Sequence, residues 1–146
     1  MAFAQITRSK RRSFFRETLC CFDLMSLERH KLDEFTRGWF VGNFSPTLAV
    51  SDDVEIAVQR YQAGAHEPRH VHKIATELTL VVVGRARMNG EDVNVGEIIR
   101  IPPGTATDFE AITDVTTVVV KLPCVKGDKF LCDAADAARA QTLAKR

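Results

Sequence analysis

The chain has 146 residues and a formal net charge of +1, a length that fits one globular domain. At this length a hydrophobic core forms without disulfide or metal staples. No apolar run is long enough to cross a bilayer, so a membrane partner is not expected. The five basic residues before Glu17 leave 15 basic and 19 acidic residues in the rest of the chain, which argues against a nucleic-acid partner.

The first 24 residues differ in character from those that follow. They are basic, contain Ser and Phe, and have no acidic residue before Glu17. A disordered extension is the plainest interpretation. The alternatives are an organelle transit peptide and translation that begins at Met25. We therefore expect an extension over 1–24, a folded domain over 25–125 and a tail over 126–146, whose Ala-rich sequence favours a helix.

Cysteine usage indicates the compartment. The four cysteines are Cys20, Cys21, Cys124 and Cys132. Their spacing matches no zinc knuckle, and adjacent cysteines rarely pair with each other. Reduced thiols in a reducing compartment are expected, which predicts a cytoplasmic protein unless the extension directs it to an organelle.

Residues 26–37 predict one short helix that Ser26 caps, and residues 39–122 predict strands. Aromatic and β-branched residues, alternating polarity, and stops at Gly, Pro and Asn-Gly indicate the strands. In chain order the strand segments are GWFVGNF, VEIAVQRY, ELTLVVVG, RARM, EIIRI and VTTVVVKL. Strands at intervals of roughly 8–12 residues without intervening helices predict an all-β sandwich or barrel.

Three of the four histidines lie in the stretch HEPRHVHKIATE, residues 66–77. On a strand, His70 and His72 face the same side about 6.6 Å apart, so both rings can reach one ion. Glu77 follows after enough residues for a turn. Alternation along the next strand places Glu77 on one face with Thr79, Val81 and Val83. Two histidines and a carboxylate that face each other suit Fe, Mn, Co, Ni or Zn.

The wider spacing matches a known pattern. Gly64, five residues, His70, one, His72, four, Glu77, six and Gly84 fit the first motif of the cupin superfamily, and Gly96, Pro102 and Gly104 fit the second. The chain therefore resembles a small single-domain cupin over residues 38–122. The resemblance implies a double-stranded antiparallel β-barrel of jelly-roll type, here with short N- and C-terminal helical segments. It also implies that His70, His72 and Glu77 are metal ligands.

The second motif departs from the family at one position, because Thr107 replaces the expected fourth ligand, a histidine. On a regular strand Phe109 shares the inward face with Thr107, while Asp108 and Glu110 face away. Three protein ligands bind a metal more weakly than four and leave more open positions, as catalytic sites require. The alternative is a pocket that holds an organic ligand by hydrogen bonds alone.

Two residues are candidates for acid–base chemistry. His66 lies in the segment before the histidine pair and has an ordinary pKa near 6.5, although a solvated loop residue is the simpler interpretation. Tyr61 offers a hydroxyl to the barrel, although a packed aromatic ring is the commoner case. In the last strand Thr116, Val118 and Val120 are expected to be the buried set, which turns Lys121 outward.

Three functions are compatible with these residues. The first is a metal-dependent enzyme, dioxygenase-like or isomerase-like, that acts on a small oxygen-rich molecule. The second is a non-catalytic cupin that binds a small ligand or metal, and the third is a barrel used only for folding and dimerisation. Trp39, Phe40 and Phe44 precede the barrel and predict a homodimer interface by analogy with small cupins.

Overall fold

The structure is a computed structural model that describes residues 27–132. The predictions for the extension over 1–24, for the Ser26 cap, and for most of the helical tail lie outside these residues. Within them, two 3₁₀ turns span Leu32–Glu34 and Thr36–Gly38. The ten strands are β1 Trp39–Val41, β2 Glu55–Tyr61, β3 His66–Val71, β4 Thr76–Val83, β5 Ala86–Met88, β6 Glu91–Val93, β7 Ile98–Ile101, β8 Ala106–Ala111, β9 Val115–Leu122 and β10 Phe130–Leu131.

The strands form two five-stranded sheets, ordered β1-β2-β9-β4-β7 and β10-β3-β8-β5-β6. Every strand pair is antiparallel. Asn89 and Gly90 join β5 to β6 with φ values of 50° and 84°, which confirms the hairpin expected from Asn-Gly. The all-β class predicted from the strand pattern is confirmed.

The predicted helix over 26–37 is wrong in the part that the structure describes. Phe35 has extended backbone between the two 3₁₀ turns, with φ −108° and ψ 135°, while Arg37 and Gly38 are left-handed. The backbone at Gly38 packs closely against β2: a Cβ added to Gly38 would lie 1.9 Å from the Val58 carbonyl oxygen. Contact with the sheet therefore overrides local helix propensity.

The hydrophobic core fills one end of the space between the sheets. Its buried residues are Val81, Ala86, Met88, Val93, Ile101, Phe109, Ala111 and Val115. Alternation along β4 turns Glu77, Thr79 and Val81 inward, but the register shifts between Val81 and Val83, and Val83 is exposed. The prediction that Val83 shares the inner face is therefore wrong.

Two further expectations concern thiols and membranes. Cys124 and Cys132 are both free thiols, whereas Cys20 and Cys21 lie outside the described residues. Among residues 27–132 we find no helix with the length and hydropathy that a bilayer span requires.

Candidate metal centre

His70, His72 and Glu77 converge at the end of the barrel that the core leaves open. His70 lies in β3, His72 directly follows that strand, and Glu77 lies in β4. One ligand atom from each residue lies within 4.8 Å of the others. The histidines are 8% and 5% exposed, so their rings are largely shielded from water. The cluster predicted from the motif is thus brought together in space.

Backbone carbonyls fix the tautomer of both rings. The Nδ1 of His70 lies 2.9 Å from the Pro68 carbonyl oxygen, and the Nδ1 of His72 contacts the Asp128 carbonyl oxygen. A carbonyl oxygen can only accept a hydrogen bond, so each Nδ1 must carry the hydrogen. Each Nε2 then directs a lone pair into the cavity, as a metal-ligating histidine requires.

The Glu77 carboxylate completes the donor set. Glu77 Oε2 lies 3.2 Å from Nε2 of His72, and the Thr79 hydroxyl donates to Glu77 Oε1 at 2.9 Å. Burial raises the pKa of Glu77, but the adjacent His72 ring and the hydrogen bond from Thr79 outweigh burial and hold the pKa below its usual value. Two lone pairs at this separation repel each other unless a proton or a cation lies between them. The donor set therefore fits a divalent transition metal.

Asp128 anchors the turn that carries His72, and no motif in the sequence had indicated it. Its buried carboxylate accepts the backbone N–H groups of Lys73, Ile74 and Ala75 at 2.9, 3.0 and 2.9 Å. Burial raises the pKa of Asp128, yet these three hydrogen bonds hold the net pKa below its ordinary value. One residue thus orients the His72 ring through its carbonyl and the turn through its carboxylate.

Thr107 occupies the position where the family pattern expects a fourth ligand. It is buried, lies directly opposite His70 in the β3–β8 ladder, and lines the cavity. Phe109 lies two residues further on the same face, as predicted. On the other face, Asp108 pairs with Arg69 at 3.5 Å. The ladder therefore places a neutral hydroxyl directly opposite His70.

A cavity of about 340 Å³ extends from the cluster between the two sheets. Tyr61 lies in its wall, with its ring centroid 4.6 Å from that of Phe109 and its hydroxyl donated to Gln59. Burial, followed by the nearby Glu67 carboxylate, raises the pKa of Tyr61 to about 12. Tyr61 therefore keeps its proton at ordinary pH, and its role as an acid–base group stays a prediction.

The structure does not bring His66 to this cavity. Even spacing from His70 would place His66 on the inner face, but the ladder shifts register between Glu67 and His70. His66 is exposed as a result, and Glu67 turns inward to line the cavity. Glu67 accepts hydrogen bonds from Arg37 and, at 2.9 Å, from Lys129. A charged cluster that the sequence did not indicate therefore lines the cavity, and an acid–base role for His66 stays a prediction.

The expectation that Lys121 faces outward is wrong. The buried set of β9 is Val115, Thr117 and Val119, and Lys121 continues their inner face. Its Nζ lies 2.5 Å from Glu55 Oε2 and 4.7 Å from the centre of the Trp39 ring. The set that was expected to be buried, Thr116, Val118 and Val120, is only half-buried and lies on the outer face.

The aromatic residues expected at a homodimer interface contact one another or other residues of this chain. Trp39 and Phe44 line the cavity with their ring centroids 6.4 Å apart. Phe40 packs against Phe35. The homodimer, and the part of these rings in its interface, stay predictions.

Comparisons with known proteins concern the fold. No protein-family model and no curated protein matches the chain. A conserved Klebsiella pneumoniae protein with a double-stranded β-helix domain is 17% identical, with a TM-score of 0.57, and the match covers 85% of this chain and 98% of that chain. The DMSP lyase DddQ from Ruegeria pomeroyi is 20% identical, with a TM-score of 0.54, over 70% of this chain and 55% of that chain.

Oxalate decarboxylase from Bacillus subtilis is 19% identical, with a TM-score of 0.51, and the match covers 63% of this chain and 28% of that chain. Another structure of that decarboxylase concerns its Mn(II) centres. Such low identities establish the fold alone, a double-stranded β-helix. This is the architecture that the motif spacing predicted.

Proposed function

The chain has the cupin fold, and from that premise we propose that it binds one divalent transition-metal ion through His70, His72 and Glu77. The observation that carries the proposal is the backbone carbonyl oxygen beside the Nδ1 of each ring, from which the tautomer follows. Backbone carbonyls hold each Nδ1–H, which leaves two Nε2 lone pairs facing one ionised carboxylate. An ordinary buried polar cluster would place hydrogens between such atoms.

The donor set limits the choice of ion. Two imidazoles and one carboxylate suit Fe, Mn, Zn or Ni, and Co as a substitute, because these ions accept mixed nitrogen and oxygen ligands. Thr107 supplies no charge and leaves room beside the ion for an external ligand. The Mn(II) centres of the Bacillus subtilis decarboxylase support manganese as one of these candidates.

We further propose that the site acts on a small oxygen-rich molecule, by dioxygenase-like or isomerase-like chemistry. A bound divalent ion would supply polarisation of the ligand's oxygen atoms. Tyr61 and Phe109 form an apolar wall that excludes water from the reacting end. Tyr61 keeps its proton, which it donates to Gln59, so its hydroxyl oxygen can accept a hydrogen bond from a ligand, while Lys121 and Glu67 both place charges in the cavity lining.

A non-catalytic cupin that binds a small ligand or metal is the alternative. The exposed position of His66 supports it, because the chain then brings no histidine to the cavity besides the two proposed ligands. This alternative predicts that the ion raises the melting temperature and that no candidate substrate is turned over. The enzyme proposal predicts both stabilisation and turnover.

Elemental analysis of protein purified without a His tag tests metal binding. We expect about one equivalent of metal in the wild type and none in His72→Ala after reconstitution and desalting. His66→Ala is the matched control, since it removes an exposed histidine that does not line the cavity. Equal metal content in all three proteins would contradict the proposal.

A further inference from the structure

Lys121 occupies a row of charged residues that crosses the sheet beside the proposed metal centre. Its partner in β2 is Glu55, and its partner in β4 is Glu77. Directly opposed side chains of neighbouring strands have Cβ atoms about 4.5–5.5 Å apart. A ligand that reaches the ion near Glu77 therefore lies within reach of the Lys121 side chain.

The Lys121 ammonium has binding capacity left over. An ammonium carries three N–H donors. Among residues 27–132, Nζ meets one carboxylate, that of Glu55, and the face of the Trp39 ring. The side chains of Lys121 and Glu55 are only 14% and 9% exposed, so bulk water does not readily satisfy the remaining donor. An oxygen atom of a ligand in the cavity is the acceptor that fits.

Stability does not explain this ion pair well. Removing two charges from water is unfavourable, and a well-packed apolar pair of similar volume is often as stable or more stable. Glu55 and Lys121 form an ion pair in the lining of the cavity. Buried charges that line a cavity are candidates for ligand binding.

Charge indicates the kind of ligand. The row holds two carboxylates and one ammonium, so a divalent ion bound at Glu77 would give it one net positive charge. At the cavity mouth, Arg37 and Lys129 face the single carboxylate of Glu67, which again leaves a positive excess. Both regions therefore favour an anion. Arg37 and Lys129 are more exposed than Lys121, so salt screens their charges more strongly.

We propose that Lys121, held by Glu55 and Trp39, binds the carboxylate of a small hydroxy or oxo acid whose second oxygen lies at the metal centre. The inference rests on the proposed metal-binding function and names its substrate class. The cavity of about 340 Å³ is near the lower end of the range for small-molecule sites. Lys121 is thus a binding and positioning residue.

Lactate and propane-1,2-diol are suitable probes, because they share a carbon skeleton and differ by a carboxylate in place of a hydroxymethyl group. Both are titrated calorimetrically into the full-length Co(II)-loaded chain, after the metal content of each protein has been measured. The variants are Lys121→Met and the double variant K121M/E55Q, which leaves no unpaired buried charge. Lys126→Met is the control, because that exposed lysine does not line the cavity.

We expect the wild type and Lys126→Met to bind lactate more tightly than the diol. Loss of a hydrogen bond to a charged group predicts an affinity for lactate about tenfold lower in both Lys121 variants. Diol affinity and metal content should not change. Equal affinity for both probes, or a change of less than about twofold in the Lys121 variants, would overturn the inference.

Failure of the metal-binding proposal gives a different result. The wild type would then hold no metal, and lactate would be titrated into the metal-free chain. If lactate binds to the metal-free wild type and both Lys121 variants lose that binding, the carboxylate site exists without the ion. Absence of lactate binding there would overturn the site as well.

Discussion

Asp128→Ala is predicted to destabilise the fold by releasing the turn that follows His72. The buried carboxylate accepts three backbone N–H groups, those of residues 73, 74 and 75, at 2.9–3.0 Å. Truncation to alanine removes all three bonds and leaves the Asp128 carbonyl, which holds the His72 ring, in the chain. The variant therefore separates the role of the carboxylate from the tautomer of His72.

The magnitude follows from the number and burial of these bonds. A hydrogen bond to a charged group contributes about 1.5–3 kcal/mol, and a buried donor left without a partner costs a similar amount. The N–H of Ala75 is buried, whereas those of Lys73 and Ile74 are only partly buried and can rebind water. We expect a loss of about 3 kcal/mol, or roughly 10–20 °C in melting temperature.

The loss should depend on pH. Hydrogen bonding holds the pKa of Asp128 below its ordinary value despite burial. A group whose pKa is lower in the folded than in the unfolded state contributes stability above its unfolded pKa, about 3.9 for Asp. That contribution disappears as the pH falls through the folded pKa. The difference between wild type and variant is therefore constant near neutral pH and shrinks in acid.

Urea unfolding of the metal-free proteins measures both effects without a contribution from bound ion. Asp92→Ala is the matched control, because its carboxylate forms an exposed ion pair with Arg87 at 3.0 Å. Such a pair contributes about 0–1 kcal/mol. If Asp128→Ala loses no more stability than Asp92→Ala, or loses the same amount at acid and neutral pH, the reasoning about the turn is refuted.

Two further predictions concern the cavity wall. Tyr61 is the single tyrosine of the chain, so the ultraviolet band of tyrosinate reports its pKa of about 12. At pH 10.5 roughly 3% of Tyr61 should be ionised, against about three-quarters of an ordinary tyrosine. A tyrosinate band of ordinary size in the folded protein would contradict the burial of Tyr61. Thr107→His places an imidazole opposite His70 and should tighten metal binding by about an order of magnitude in chelator competition. Unchanged affinity would mean that position 107 does not face the ion.

The fold and the three proposed ligands could be predicted because their signals are local. Glycine and proline spacing marks the turns, and alternation places His70 and Glu77 on inner faces. The sequence predicts side-chain orientation less well where the alternation along a strand is interrupted. The register shift after Glu67 turns Glu67 towards the cavity, which the spacing of residues in β3 did not indicate.

Other features depend on contacts between distant parts of the chain. Asp128 reaches the turn after His72 across more than 50 residues, and neither segment carries a motif for the other. The inward orientation of Lys121 was missed because a lysine is normally exposed, and only Glu55 and Trp39 make its burial acceptable. Packing against β2 likewise replaced the expected helix before Trp39 with two 3₁₀ turns.

Long-range ¹H–¹⁵N NMR of the imidazole rings, recorded before and after addition of Zn(II), tests the central claim most directly. The chain has four histidines, and single His→Ala variants assign their signals. We predict that His70 and His72 carry hydrogen on Nδ1 in the metal-free protein, and that one equivalent of Zn(II) shifts both Nε2 signals while His30 and His66 stay unchanged. Hydrogen on Nε2 in either ring, or a shift confined to the exposed histidines, would contradict the proposed metal centre.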